Sequence, residues 1–130
     1  GAAIAASATI PEGQYAAPVV LRDAHEGMLL AEEETFGPVA PIFRFNTEEE
    51  AVRIANDTPF GLAAYFFTRD MGQAWRVGEA LEFGMVGLNV GTVSTTVSPF
   101  GGVKQSGFGR EGSTSGIEEY LETKAFHFGI

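Results

Sequence analysis

Two hydrophobic periods alternate through the middle of the chain, and this alternation constrains the fold more than any other feature. Apolar residues dominate three short stretches at residues 39–45, 62–67 and 85–90, which is typical of β-strands. Between these runs, apolar residues recur at helical spacing behind two capping side chains, Thr47 and Asp70. A chain with the order strand, helix, strand, helix, strand is expected to adopt an α/β fold, in which a parallel sheet has flanking helices.

Individual residues refine this prediction. Pro41 lies inside the first run, which indicates an edge strand or a bulge because proline cannot donate to the ladder. The run at residues 62–67 is continuous, so we expect a strand that is covered on both faces. Gly84 is predicted to end the second helix.

The flanks of the chain give weaker patterns. Short apolar runs at residues 2–9 and 17–21 favour strands, with a turn between them at residues 11–13. Residues 113–120 are predicted to form a short helix. Residues 121–130 alternate partly between apolar and polar side chains and favour a terminal strand.

Composition and charge exclude several classes of function. The 130 residues suit one domain or a large piece of one, and 45% of them are hydrophobic. A formal net charge of −9 argues against binding to nucleic acid or to an anionic membrane surface. Apolar runs stay well below the roughly 18 residues of a membrane-spanning helix, so a cytoplasmic setting is the expectation.

The chain contains no cysteine and only two histidines, His25 and His127. This composition excludes disulfides and cysteine nucleophiles within the chain itself. A zinc site would need more ligands than two distant histidines provide. We therefore predict neither a catalytic nucleophile nor a metal site in this chain.

The glycine-rich stretch at residues 91–112 has no period and is too long for a passive connector, so it is predicted to be functional. Its last part, G-F-G-R-E-G at residues 107–112, matches the spacing of a dinucleotide fingerprint. That fingerprint must follow a strand and open a helix, whereas this one follows a loop. A tight loop with close backbone approach is the favoured interpretation. The segment at residues 101–106 also fails the spacing of a P-loop.

When they are considered by themselves, the other acidic, hydroxyl and aromatic residues are expected to be structural or solvent-exposed and not catalytic. The acidic triplet at residues 32–34 could be a general base or a metal edge, but a solvated face is favoured. Ser94 and Ser98 lack the context of a nucleophile elbow. Phe100 and Phe108 are expected in the core more than in contact with a ligand.

Three further motifs occur in a fixed order: E-E-T-F-G-P-V at residues 33–39, N-D-T-P-F-G-L-A-A at residues 56–64, and P-F-G-G-V-K-Q-S-G at residues 99–107. Together they resemble the signatures of the aldehyde dehydrogenase family, from about residue 17 to the C-terminus. The stretches at residues 78–97 and 116–122 most resemble members that act on succinate semialdehyde.

The resemblance implies a domain architecture and assigns the catalytic groups to different parts of the complete enzyme. Residues 1–115 would be the C-terminal part of the catalytic domain, and residues 116–130 a tail with an oligomerisation strand. In the family, a cysteine nucleophile, a glutamate base and an upstream domain that binds NAD or NADP perform the chemistry, and this chain lacks the cysteine and that domain. Arg110 and Glu122 match a charged pair near a subunit interface.

The expected function is therefore that of a segment. It would contribute to the oxidation of succinate semialdehyde, or a similar small aldehyde, to the acid, and it would be inactive alone. Its partners would be the remainder of the dehydrogenase chain and further copies in a dimer or tetramer. The alternative is a non-catalytic α/β module that assembles through its terminal strand.

Site residues follow from the resemblance one at a time. Glu34 would hold the ribose hydroxyls of the nicotinamide half, a task that suits a carboxylate accepting two hydroxyl donors. Phe36 would pack beside the nicotinamide ring. Ser94 would hydrogen-bond the carboxylate of the substrate, and Phe100 would line the entrance for the aldehyde.

Overall fold

A computed structural model describes residues 1–10 and 13–130 and divides the chain into two compact units, Gly1–Thr58 and Pro59–Ile130. Each unit is an α/β arrangement, as the alternation of periods predicts. Two of the three residues of the turn predicted at residues 11–13 lie outside the described residues.

The first unit contains a three-stranded sheet in the order β1-β2-β3. Strand β2 runs antiparallel to β1 and parallel to β3. Pro41 lies in β3 at the edge of this sheet, as predicted for a strand that carries a residue without an N–H donor. The elements are β1 (Ala3–Ser7), β2 (Val19–Ala24), a single turn α1 (Leu29–Glu32), β3 (Val39–Phe43) and α2 (Glu48–Asn56).

Helix α2 begins at the predicted cap. The Thr47 hydroxyl accepts a hydrogen bond from the Glu50 N–H at 3.2 Å, and the Glu50 carboxylate accepts from the Asn46 N–H at 2.8 Å. These two bonds satisfy one N–H group in the first turn of the helix and one just before its cap. The spacing of threonine and glutamate in the sequence was therefore sufficient to locate this helix.

The second unit is built on one strand–helix–strand element, β4 (Ala63–Phe66), α3 (Met71–Ala80) and β5 (Met85–Leu88). Strands β4 and β5 are parallel, with Tyr65 opposite Gly87. The Asp70 carboxylate caps α3 by accepting from the Gln73 N–H at 2.6 Å. Two short 3₁₀ helices follow, Lys104–Ser106 and Ser115–Tyr120, and the latter confirms the predicted short helix.

Three details differ from the sequence-based expectations. Among the described residues, β3 and β4 belong to different sheets, because period identifies a strand but not its partner. The run at residues 62–67 is not covered on both faces, since Tyr65 is 45% and Phe67 is 72% exposed. Helix α3 ends at Ala80 with a cap at Leu81, so Gly84 does not terminate it.

The predicted terminal strand is also not formed. Residues 121–130 are exposed and pair with no strand among the described residues, although the rings of Phe126 and Phe128 stack with centroids 6.4 Å apart. A strand needs a partner to satisfy its backbone, and alternation of side chains cannot supply one.

Candidate functional site

The glycine-rich stretch forms a closed loop at residues 99–112 in the second unit. The backbone groups of Phe100 and Glu111 exchange two hydrogen bonds, at 2.8 and 2.7 Å, which join the two ends of the loop. Inside it, a Cβ atom on Gly101 would lie 2.5 Å from the Gly109 carbonyl oxygen. Two backbone segments therefore approach each other at a distance that only glycine permits.

The G-F-G-R-E-G segment turns within this loop. Gly107, Gly109 and Gly112 have φ angles of 113°, 71° and 66°, a region of backbone conformation that glycine enters without steric cost. The segment is preceded by the 3₁₀ turn Lys104–Ser106 and not by a strand. The favoured interpretation of these glycines as a tight loop is thus confirmed.

The loop is fastened to the start of the β4 segment through Gly61. The Gly61 N–H donates to the Ser106 hydroxyl at 3.0 Å, and the Gly61 carbonyl accepts from Gly84 at 2.9 Å and Val103 at 3.0 Å. Gly61 and Ser106 belong to two of the motifs that carry the family resemblance. No local pattern indicated that these motifs are in contact, since Gly61 and Ser106 are separated by 45 residues.

A salt bridge adds a second attachment. The Lys104 ammonium lies 2.8 Å from the Glu82 carboxylate, and the Lys104 side chain is 25% exposed. Its backbone has a φ of 54°, which is uncommon for a residue with a side chain. The Gln105 N–H also donates to the Pro59 carbonyl at 2.9 Å. The loop is thus held by one residue that precedes β4 and one that follows α3.

Arg110 ties the loop to itself. Its guanidinium Nη1 donates to the carbonyl oxygens of Gly102 at 2.8 Å and Gly109 at 2.6 Å. Its backbone N–H donates to the Glu119 carboxylate at 3.2 Å. Within the described part of the chain Nη1 of Arg110 thus bonds to backbone carbonyls and Glu122 lies in the exposed tail, and the pairing of Arg110 with Glu122 near a subunit interface stays a prediction.

A hollow of about 680 Å³ lies beside this loop, and Phe100 and Arg110 line it together. Phe100 is half-buried, which fits both the expected core position and an aromatic wall. Phe108 differs from its expected place in the core, since its side chain is fully exposed. A phenylalanine at the tip of a glycine turn has no neighbouring element to cover it.

The segment that carries Ser94 follows β5 at residues 91–98. Two threonine hydroxyls stabilise its turns: Thr92 accepts from the Ser94 N–H at 3.4 Å, and Thr95 accepts from the Ser98 N–H at 3.2 Å. The Ser94 side chain is exposed. Ser94 and Phe100 therefore lie in successive loops of one unit.

Asn89, which the sequence analysis did not single out, controls the beginning of this segment. Its amide Oδ1 accepts from the Thr68 N–H at 3.0 Å, and its Nδ2 donates to the Thr68 carbonyl at 2.7 Å. Its φ is 55°. An asparagine directly after a buried strand was the available signal, because asparagine tolerates this conformation better than most residues.

The other predicted pair, Glu34 and Phe36, lies in the first unit between α1 and β3. Both side chains are exposed, Phe36 to 95%. The Gly37 N–H donates to the Thr35 carbonyl at 2.8 Å, and the Val19 N–H donates to the Pro38 carbonyl at 2.9 Å. The segment is thus tied to the sheet behind it while its two candidate side chains face solvent.

An ion pair in the same unit joins α2 to the residues that precede α1. The Arg53 guanidinium on α2 donates to both oxygens of Glu26, at 2.6 and 3.2 Å. These hydrogen bonds lower the pKa of the Glu26 carboxyl, so the pair persists at neutral pH and weakens as the pH falls through that lowered value. Both groups are exposed to solvent, which limits the stabilisation.

Residues 1–10 and 13–130 hold no group of three or more histidine, cysteine, aspartate or glutamate side chains that could bind a metal ion. None of their helices is long and apolar enough to cross a membrane.

Comparison with known proteins gives matches over almost the whole chain. A family model described as the aldehyde dehydrogenase family matches residues 1–126. A succinate semialdehyde dehydrogenase of Acinetobacter baylyi is 59% identical over 112 residues, which is 86% of this chain and 23% of that protein. The NADP-dependent succinate-semialdehyde dehydrogenase of Escherichia coli is 53% identical over 118 residues, which is 91% of this chain and 24% of that protein.

Among solved structures, an aldehyde dehydrogenase from Brucella melitensis biovar abortus superposes with a TM-score of 0.90 at 58% identity. The match covers 95% of this chain and 26% of that one. The chain therefore spans about a quarter of the length of the proteins that it matches.

Proposed function

This chain belongs to the aldehyde dehydrogenase family, and we propose that it is the C-terminal segment of an enzyme that oxidises succinate semialdehyde, or a similar aldehyde, with NAD or NADP. The single observation that carries the proposal is the tethered loop at residues 99–112, in which two family motifs meet through Gly61 and Ser106. Phe100 at the start of that loop would form a wall of the aldehyde entrance.

The exposed surface supports the idea that further protein covers this chain. Its accessible area is 10152 Å², whereas two separate compact monomers of the sizes of its units would expose roughly 8,000 Å². The buried hydrophobic side chains among the described residues are only Ala24, Val77 and Met85. A cysteine nucleophile would also come from elsewhere in the complete polypeptide, because this chain has none.

Within that polypeptide, Glu34 and Phe36 would contact the cofactor. The exposed Glu34 carboxylate can accept hydrogen bonds from two ribose hydroxyls, and the exposed ring of Phe36 offers a flat face for the nicotinamide. The choice between NAD and NADP would be made by the domain that binds the rest of the cofactor.

Ser94 and Phe100 would contact the aldehyde. The Ser94 hydroxyl is exposed and can donate a hydrogen bond to a carboxylate at the far end of the substrate. The half-buried ring of Phe100 would shield the aldehyde end from water. These roles fit a short aldehyde that carries an acid group.

We expect the isolated chain to show no NAD(P)-dependent oxidation of succinate semialdehyde, because the nucleophile and the cofactor domain are elsewhere. The complete polypeptide, meaning the reading frame that contains this chain, should show that activity in a spectrophotometric assay of NADH or NADPH. A truncated polypeptide that stops just before residue 1, and so lacks this chain, is the matched control and should be inactive as well. Turnover by the 130 residues alone would refute the proposal.

Replacement of Glu34 by glutamine in the complete polypeptide should raise the Kd for NAD(P) about tenfold or more, because an amide loses a charge-assisted hydrogen bond. Titration of protein fluorescence with cofactor measures this change. Glu32→Gln is the control, since it removes the same charge two residues away. Equal effects of the two variants would mean that only net charge matters and that Glu34 has no special role.

The alternative function is an assembly module without catalysis. One observation favours it: residues 121–130 expose Phe126, Phe128 and Ile130 to 77% or more, and an unpaired extended tail recruits other chains. Glu122 and Arg110 would then lie near the interface between copies. Self-association of the isolated chain in light scattering, with no gain of activity in the complete polypeptide, would favour this alternative.

A further inference from the structure

The end of strand β5 is shaped by one asparagine. The β4–β5 ladder pairs Phe66 with Leu88, and the Asn89 N–H then donates to the Phe66 carbonyl at 3.0 Å. At Asn89 the backbone turns to a φ of 55°, so the main chain leaves the sheet. The ladder does not end there, because the Asn89 side chain bonds to both the N–H and the carbonyl of Thr68.

These two bonds replace the main-chain pairing that the turn removes. A planar amide presents one acceptor and one donor side by side, which matches the two backbone groups of a residue in an extended strand. The tie continues into α3, since the Thr68 hydroxyl accepts from the Asp70 N–H at 3.1 Å and donates to the Gln73 side chain. The start of the next loop is thus connected to a capped helix.

The loop at residues 91–98 depends on this starting point. A Cβ atom on Gly87 would lie 2.9 Å from Val93 and 2.7 Å from Tyr65, so the loop packs back over the strand directly before Ser94. Past that point, the Ser113 N–H donates to the Thr96 carbonyl at 3.3 Å. Between these contacts Ser94 is placed by the direction in which the chain leaves β5.

We propose that Asn89 is a positioning residue: its side-chain pairing with Thr68 fixes the departure of the 91–98 loop and thereby the place of Ser94. The inference rests on the proposed function, in which the Ser94 hydroxyl holds the carboxylate of the substrate. It makes the asparagine a determinant of specificity for acid-bearing aldehydes without any contact of its own with the substrate.

The test separates the side chain of Asn89 from its backbone. Asn89→Gly keeps a residue that adopts a φ of 55° without strain but removes both bonds to Thr68. In the complete polypeptide, this variant should raise KM for succinate semialdehyde about tenfold and leave KM for butanal, which has no carboxylate, within about twofold. Asn89→Asp, which keeps the acceptor for the Thr68 N–H, should recover part of the loss.

Ser94→Ala should reproduce the same change, and the double variant should be no worse than either single one, since both act on one contact. An unchanged KM in Asn89→Gly, or equal losses with both aldehydes, would overturn the positioning role. If Ser94→Ala changes neither KM, the substrate part of the proposed function fails instead.

Hydrogen exchange tests the positioning role even if the complete polypeptide shows no activity. Asn89→Gly should accelerate exchange of the amides in residues 91–97 about tenfold, whereas Asn46→Gly, which removes a side-chain bond in the other unit, should not. Unaltered exchange in Asn89→Gly would refute the inference even if the polypeptide oxidises no aldehyde.

Discussion

Gly84→Ala should destabilise the second unit by about 3 kcal/mol or more and abolish most aldehyde oxidation by the complete polypeptide. A Cβ atom at this position would lie 2.0 Å from the Gly101 carbonyl oxygen and 2.8 Å from the Gly102 Cα. Both neighbours are backbone atoms that cannot rotate away, so either the β5 segment or the 99–112 loop must move. Because we propose that Phe100 lines the aldehyde entrance, we expect its displacement by about an ångström to lower the rate about a hundredfold.

Gly78→Ala is the matched control for this prediction. Gly78 lies inside α3, and nothing lies within 4 Å of the Cβ atom that alanine would add. An alanine in a helix interior stabilises it by about 1 kcal/mol relative to glycine. Thermal unfolding should therefore show a lower Tm for Gly84→Ala and a higher Tm for Gly78→Ala, and steady-state kinetics should show a lower kcat for Gly84→Ala only. A Gly84→Ala variant with unchanged Tm and kcat would show that the loop does not press against this strand.

Local signals in the sequence located most of the elements. The cap of α2 follows from Thr47 and Glu50, and the cap of α3 follows from Asp70 and Gln73, because these side chains bond to backbone only three residues away. The strands between these helices follow from their apolar runs. Interactions within one helical turn or one strand involve residues that are close in sequence. Hydrophobic periodicity and capping rules can therefore predict them.

The same rules could not predict contacts between residues that are distant in sequence. Gly84 was predicted to be a helix terminator, whereas its role is to let the Gly101 carbonyl approach from 17 residues away in sequence. The two sheets and the bonds from Gly61 to the 99–112 loop are likewise pairings that no local pattern encodes. Resemblance to a family supplied candidate residues such as Glu34 and Ser94, but it did not supply the Asn89–Thr68 pairing on which we expect Ser94 to depend.

Arg110 offers a direct comparison between an expectation from resemblance and an arrangement in the structure. Resemblance predicts that Arg110 pairs with Glu122, whereas its guanidinium donates to the carbonyls of Gly102 and Gly109. A hydrogen bond from a charged group to a half-buried carbonyl contributes about 1.5 kcal/mol or more. The guanidinium therefore holds together the two backbone segments that approach each other inside the 99–112 loop.

Arg110→Ala should accordingly lower the stability of the complete polypeptide by about 3 kcal/mol and reduce kcat/KM for the aldehyde, since the loop that carries Phe100 loses its internal tie. Arg110→Lys should recover part of this loss, because an ammonium can reach one of the two carbonyls but lacks the fixed geometry of a guanidinium. Glu122→Gln should change stability by less than about 0.5 kcal/mol, as is usual for an exposed position. Denaturant unfolding, with the oligomer mass from light scattering, measures all three variants. Equal losses in Arg110→Ala and Glu122→Gln would mean that the charged pair forms on assembly and outweighs the carbonyl contacts, because only a shared interaction makes the two variants equivalent.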